Sequence, residues 1–145
     1  KGFCILPSQP SLRLWRDSRE ALMAQDAKIA PPLSYTDKTR FLAGVRLAFC
    51  PQARPFRHAF FLGGGGAAAV AFEPLSAAQA LVEWAKHSFL LDPKEKPALA
   101  SHFDRVATLA SRVRCFRLDY PRRFEALPQV RQAIVQQLRE ENVTA

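Results

Sequence analysis

The residues of this chain best placed to do chemistry are cations. Lys38 and Arg40 stand two apart, so on a strand they would project to one face. Such a pair suits a cluster of phosphoryl oxygens, because Arg offers a planar donor fork and Lys a mobile point charge. The plainer alternative is two solvent-facing cations on an edge strand, where charge discourages aggregation. Nearby, Arg13 and Arg16 flank Trp15, and Tyr35 precedes Lys38.

Gly63 to Gly66 is the second feature with chemical promise. A phosphate-cradling P-loop ends in Gly-Lys-Ser/Thr, whose lysine reaches the phosphates and whose hydroxyl binds magnesium. Here the glycines lead into Ala67-Ala68-Ala69-Val70, so a flexible turn between two strands is expected. Other chemistries have less support. His58, His87 and His102 have no metal-ligand spacing and no acidic cluster beside them. His58 is expected as a hydrogen-bonded core residue, and His87 and His102 on helix surfaces. The GxSxG pattern is missing around Ser8, Ser11 and Ser34, and Glu140-Glu141 reads as a solvated tail pair. Cys4, Cys50 and Cys115 are odd in number and far apart, which argues against a disulfide framework or a CxxC zinc site. They are expected as buried, reduced thiols of a cytoplasmic protein. No local signal around Cys50 or Cys115 lowers a thiol pKa.

The elements that must position these groups follow from pattern. Residues 2–6 and 11–15 read as strands of a hairpin joined by Pro7-Ser8-Gln9-Pro10. Asp17 with Glu20 predicts a capped helix over 18–25. Residues 38–49 read as mostly extended with a bend at Gly44, and 55–62 as a strand covered on both faces. Ser76 with Gln79 fits a capping box, and Ala78, Leu81, Val82, Ala85 and Phe89 then form a core face at helical spacing. Asp92-Pro93 marks another helix start, which Pro97 delays; its seam is Leu99, Phe103, Val106, Ala110 and Val113. Residues 114–118 read as a strand ending at Asp119-Tyr120-Pro121. Pro128 opens a last helix with Val130, Ala133, Ile134 and Leu138 on one face, and the tail from Glu140 is expected to fray. The fold class is therefore α+β, strand-rich over 1–73 and helix-rich over 74–145, as one domain or the later part of a mixed α/β domain.

Composition narrows the function classes. With 145 residues and 48% apolar content, a packed core is within reach and wholesale disorder is excluded. The longest apolar run, Phe60 to Phe72, is broken by four glycines and is too short to span a membrane. A net charge of +8, from 21 basic and 13 acidic residues, favours phosphate-rich or acidic partners. The cations are scattered rather than run together, which weakens a nucleic-acid reading.

These segments together bear a family resemblance. Pro10-Ser11-Leu12-Arg13-Leu14-Trp15-Arg16-Asp17 resembles a P-x-L-R-L-W-x-D segment of HPr serine kinase-like proteins, of the phosphoenolpyruvate carboxykinase-like kinase fold. Asp37-Lys38-Thr39-Arg40-Phe41 is similar to that family's Lys-containing strand. Arg54 to Leu62 resembles its P-L-x-x-I-Y-x-L strand, Leu75 to Phe89 its helix ending in H-S-F, and Arg117 to Phe124 its L-x-Y-P-R-D-F strand and turn. The matches occur in order along nearly the whole chain. The resemblance implies an ATP-dependent kinase, using magnesium, that phosphorylates a serine hydroxyl of a protein or peptide, as in modified-peptide biosynthesis. It also implies that Arg13, Lys38 and Arg40 face the nucleotide or the phosphoacceptor, and that His87 and Arg122 have structural roles.

The decisive motif departs from the pattern: no GxxxxGK[ST] and no acidic metal-binding strand occur in the sequence. The chain starts at Lys1, in an expected strand, and is read as the C-terminal part of such a kinase. Its N-terminal half would be missing from the sequence or carried by a partner chain. Alone it is expected to bind neither ATP nor magnesium and to be inactive. The rivals are a non-catalytic basic module for nucleic acid or an acidic peptide, and a regulatory subunit with a hydrophobic docking face. Membrane association is not expected, and homo-oligomerisation is left open.

Overall fold

Alternating stretches become short strands and periodic apolar stretches become helices in a computed structural model, which describes residues 2–23, 27–45, 47–88 and 94–143, with side chains as far as residue 140. In chain order the elements are β1 (Cys4–Ile5), β2 (Ser11–Leu14), α1 (Arg16–Leu22), β3 (Thr39–Leu42), β4 (Arg54–Pro55), β5 (His58–Leu62), β6 (Ala71–Pro74), α2 (Ala77–His87), α3 (Lys96–Arg112), β7 (Arg114–Asp119) and, after a 3-10 turn at Phe124–Ala126, α4 (Leu127–Val143). The fold is α+β. It divides into two compact units, a small one of Cys4–Arg54 and a larger one of Lys1–Phe3 with Pro55–Ala145. The change from strand-rich to helix-rich sequence at residue 73 falls inside the larger unit. No helix of the described residues is long and apolar enough to cross a membrane.

In the small unit β2 pairs antiparallel with β3, in the register Ser11↔Leu42, Leu12↔Phe41, Arg13↔Arg40 and Leu14↔Thr39. Residues 28–30 run along the other side of β3: Ala30 donates its N–H to the Arg40 carbonyl at 2.8 Å, and Leu42 donates to Lys28 at 2.9 Å. Phe41 is the anchor of this unit, 2% exposed. The expected hairpin of residues 2–6 with 11–15 does not form, since the partner of β2 is β3. Pro10 instead accepts a hydrogen bond from Ala43 at 2.8 Å, which extends the β2–β3 ladder.

The first helix also differs from expectation. It starts at Arg16 after Trp15, with no side-chain cap, and stops at an extended Met23. Asp17 does not cap it; its carboxylate accepts from the neighbouring Ser18 N–H at 2.7 Å. An Arg16–Glu20 ion pair at 3.0 Å, one turn apart, supports the exposed helix instead. The extended stretch after Leu42 ends at Gly44, whose N–H reaches the Leu47 carbonyl at 3.0 Å.

The larger unit is built on a sheet of order β5-β7-β6, with β7 parallel to β5 and antiparallel to β6. Alternation sends Phe61 and Cys115 to one face, where they pack with Ala80 of α2 and Ala110 and Val113 of α3. The other face carries a row of rings: Phe60 lies 5.6 Å from Phe116 and 5.7 Å from Phe72. The capping box at Ser76 and Gln79 is present.

The buried face of α2 is rotated from the expected one. Ala80, Leu81 and Trp84 turn inward while Ala78, Val82 and Ala85 are exposed; Phe89 lies outside the described residues. The reason is the Trp84 ring, which meets Phe56 and Phe61 edge-on at 5.8 and 5.0 Å and fills more of the core than an alanine face would. In α3 the C-terminal half of the expected seam, Val106, Ala110 and Val113, is buried, whereas Leu99 and Phe103 remain exposed. This helix begins at Lys96 with Pro97 in its first turn; Asp92 and Pro93 lie outside the described residues. Helix α4 opens at Leu127, one residue ahead of Pro128, buries Val130, and continues through Val143 where fraying was expected.

Candidate functional site

The β2–β3 ladder brings the three candidate cations together. Arg13 and Arg40 are direct cross-strand partners. The Pro10–Ala43 bond fixes the alternation, and makes Arg13↔Arg40 the non-hydrogen-bonded kind of pair, in which side chains stand closest. One step on, Trp15 follows Arg13 by two residues and Lys38 precedes Arg40 by two. Their side chains meet as that extension of the ladder requires, with Lys38 Nζ 4.6 Å above the Trp15 ring. The Arg13 guanidinium lies 5.9 Å from the Tyr35 ring centre.

Like charges directly opposite each other destabilise a strand pair. Counter-ions would relieve this, yet among the described residues no carboxylate pairs with Arg13, Lys38 or Arg40. The Arg40 Nε is buried without a hydrogen-bond partner. Trp15 and Tyr35 are 54% and 71% exposed, so a ligand can reach both rings. The result is a face with three cations and two accessible rings, without a paired carboxylate among the described residues. It can hold a phosphoryl or carboxylate group, and its rings can stack on a planar one.

The glycine run makes a different structure, a knot at the C-terminal end of β7. The loop from β5 to β6 crosses that end, and Asp119 accepts the N–H of Gly65 at 2.7 Å and of Tyr120 at 3.0 Å. Arg122 donates to the Gly63 carbonyl at 2.6 Å, lies 3.8 Å from the Asp119 carboxylate and covers the Tyr120 ring at 4.2 Å. Burial pulls the Asp119 carboxyl upward, but the Gly65 and Tyr120 amides, the Arg122 charge and the Ala67 amide outweigh it, so its pKa lies below the ordinary value. Two glycines are required by contact. A Cβ on Gly63 would lie 2.9 Å from Asp119 Cγ, and one on Gly65, which has φ of +83°, would lie 2.5 Å from Arg122 Cγ. These amides therefore hold an internal carboxylate. Beside the knot, Tyr120, Arg122, Arg123, Phe124 and Leu127 line a shallow cleft of about 240 Å³.

A second charged cluster, Glu73, Glu83, Lys86 and Arg117, joins β6, α2 and β7. Arg117 reaches Glu73 at 2.8 Å and Glu83 at 3.7 Å, and Lys86 reaches Glu83 at 3.1 Å. The hydrogen bond from Lys86 is the main cause holding the Glu83 carboxyl below its usual range.

The histidines and cysteines depart in part from expectation. The His58 Nε2 is buried without a hydrogen-bond partner, and the ring stacks against Phe116 at 6.5 Å. Burial, then the charges of Arg114 and Arg57, push its pKa down. His102 is half-buried, also with an unpartnered Nε2, rather than on an open helix surface. His87 is exposed and stacks on Phe61 at 5.8 Å, with Glu83 3.9 Å away. Only Cys115 is buried; Cys4 and Cys50 are exposed. The Arg54 Nε lies 3.2 Å from Cys50 Sγ, and this hydrogen bond lowers the thiol pKa. The spacing Cys50–Arg54, four apart in an irregular segment, gave no signal of this contact. Nor did Trp15 and Tyr35 announce an aromatic–cation platform, because its parts come from separate segments. Among the described residues no group of three or more His, Cys, Asp or Glu side chains converges as a metal site.

No protein-family model, curated protein or solved structure matches the chain.

Proposed function

We propose that this chain is the C-terminal part of an ATP-dependent, HPr serine kinase-like enzyme that phosphorylates a hydroxyl of a protein or peptide, and that Arg13, Lys38 and Arg40 face the phosphoryl groups. The observation that carries the reading is the Arg13↔Arg40 pair with Lys38 beside it, three cations with no carboxylate partner among the described residues. The ordered resemblance of the segments around Arg13, Lys38, His58, His87 and Tyr120 supports the kind of enzyme. The setting proposed is cytoplasmic, in keeping with three free cysteines.

The residues fit the phosphate part of ATP. When bound, ATP supplies the phosphoryl group. The guanidinium forks of Arg13 and Arg40 would hold its phosphoryl oxygens, and Lys38, backed by Trp15, would add charge there. Such fixed cations lower a phosphoryl-transfer barrier by stabilising charge that spreads over the oxygens. The residues do not fit magnesium, for which no acidic cluster converges among those described, and no step of this chain is derived through it.

The reading frame ahead of Lys1 is the first test. A P-loop upstream is expected, and a start codon immediately before Lys1 with no P-loop would overturn the kinase reading. In the complete protein, Lys38→Ala should weaken ATP binding or slow phosphoryl transfer by about tenfold, the scale of one lost charged contact. If both were unchanged, the assignment of Lys38 would be wrong.

A second reading is favoured by the two exposed rings: a single-strand nucleic-acid module, in which bases stack on Trp15 and Tyr35 while Arg13 and Lys38 follow the backbone. Oligonucleotide affinity that drops steeply with salt, together with loss on Trp15→Ala, would favour it over the kinase.

A further inference from the structure

We propose that the outer edge of β2 binds an extended acidic peptide as an added antiparallel strand, with an apolar–acidic–apolar core placed on Leu12, Arg13 and Leu14. The proposal goes beyond the kinase reading and does not rest on it: a peptide carboxylate and a phosphoryl group would be alternative occupants of the Arg13–Arg40 face.

The ladder alternation decides which backbone groups are open. Pro10↔Ala43 is hydrogen-bonded, so Leu12 and Leu14 turn their backbone groups toward β3 and Arg13 turns its N–H and C=O outward. The same alternation on β3 agrees, since the outward carbonyl of Arg40 is taken by Ala30. Thus β3 is covered on its outer side, whereas among the described residues β2 has no strand on its own, and Arg13 is an exposed residue. Open strand edges of this type are templates for a further strand.

Side-chain chemistry selects the partner. A residue paired with Arg13 exchanges two main-chain hydrogen bonds with it and puts its own side chain on the Arg13–Arg40 face. Among the described residues no carboxylate pairs with the cations of that face, so a carboxylate there is favoured and a cation disfavoured. The residues on either side project to the opposite face, beside Leu12, which is 39% exposed, and Leu14. Apolar side chains suit that face. A net charge of +8 adds long-range attraction for an acidic segment.

The test uses a fluorescein-labelled pentapeptide, Thr-Val-Glu-Val-Thr, titrated by anisotropy against this chain and against the product of the complete reading frame. Saturable binding to both is expected. Methylating the Glu amide nitrogen, which faces the strand, should weaken binding at least about tenfold, the loss of roughly one hydrogen bond with its steric block. Methylating a Val amide, which points away, should leave binding within about twofold. Arg13→Ala should weaken the acidic peptide but not a Gln-containing one, and circular dichroism checks that the variant remains folded. Equal effects of the two methylations would mean attraction by charge alone and would overturn the strand proposal, as would absence of saturable binding. Binding by this chain but not by the complete protein would mean that the edge is covered in the native molecule, and would also overturn it. None of these readouts needs ATP, so their failure leaves the phosphate-facing reading to its own tests.

Discussion

Asp119 with Arg122 in the larger unit, and Arg13 with Arg40 in the small one, are both close pairs of charged side chains, but of opposite kinds. The first joins unlike charges and is closed by the Gly65 and Tyr120 amides, a loop carbonyl and the Tyr120 ring. The second sets two arginines opposite each other across the ladder, with no carboxylate partner among the described residues. A closed pair contributes to holding a loop; an open one stores a need for an external anion. The glycines, expected from the sequence as a turn between strands, are thus the structural feature. The scattered cations are the ones left for a ligand.

The largest effect that separates the two regions should come from the glycine loop. Gly65→Ala puts a Cβ at positive φ against Arg122 and should cost about 2 kcal/mol, a fall in Tm of roughly 5–10 °C by calorimetry. An unchanged Tm would mean that the loop is not held as described. Asp119→Asn should lower the urea midpoint at pH 7, and the deficit should shrink in acid. The sign follows from the lowered carboxyl pKa. The contribution of the ionised group is complete above about pH 5 and is lost as pH falls below the ordinary value of about 3.9 toward the depressed one. A deficit that stayed constant to about pH 2 would show that charge plays no part.

The small unit should respond in the opposite sense. Arg13→Thr removes one of two facing cations and supplies a good strand former, so stability should rise by about 0.2–1 kcal/mol while inorganic phosphate binding weakens. A loss of stability would mean that the pair already has a counter-ion. The smallest effect concerns Cys50. Iodoacetamide should modify it faster at pH 7 than the buried Cys115, whose thiol burial pushes up, and Arg54→Ala should slow the Cys50 reaction by a few fold. Equal rates in wild type and variant would remove the role given to Arg54.

What could be read in the sequence was what local rules encode. The capping box at Ser76, the strand before Asp119 and the C-terminal half of the α3 seam all depend on near neighbours. Lys38 and Arg40 were recognisable as a same-face pair for the same reason. What was hidden depends on partners far along the chain. That β2 would choose β3 over β1 is set by pairing across residues 15–38, and so the Arg13↔Arg40 opposition had no local sign. The face of α2 was misjudged because Trp84 competes for the core with smaller residues, and only the positions of Phe56 and Phe61 decide that contest.

The order of strands in the larger sheet has a consequence for how this protein is made. β5 and β6 emerge from the ribosome well before β7, yet among the described strands each pairs only with β7, which lies between them. Until Asp119 has cleared the exit tunnel, both strands must wait without a ladder, with Phe60, Phe61 and Phe72 unshielded by their final neighbours. Sheet formation in this unit is therefore expected to be late, with long loops to close before any sheet contact is gained. That waiting period is where a chaperone would find its binding site, and where a slowed or interrupted translation would do most harm.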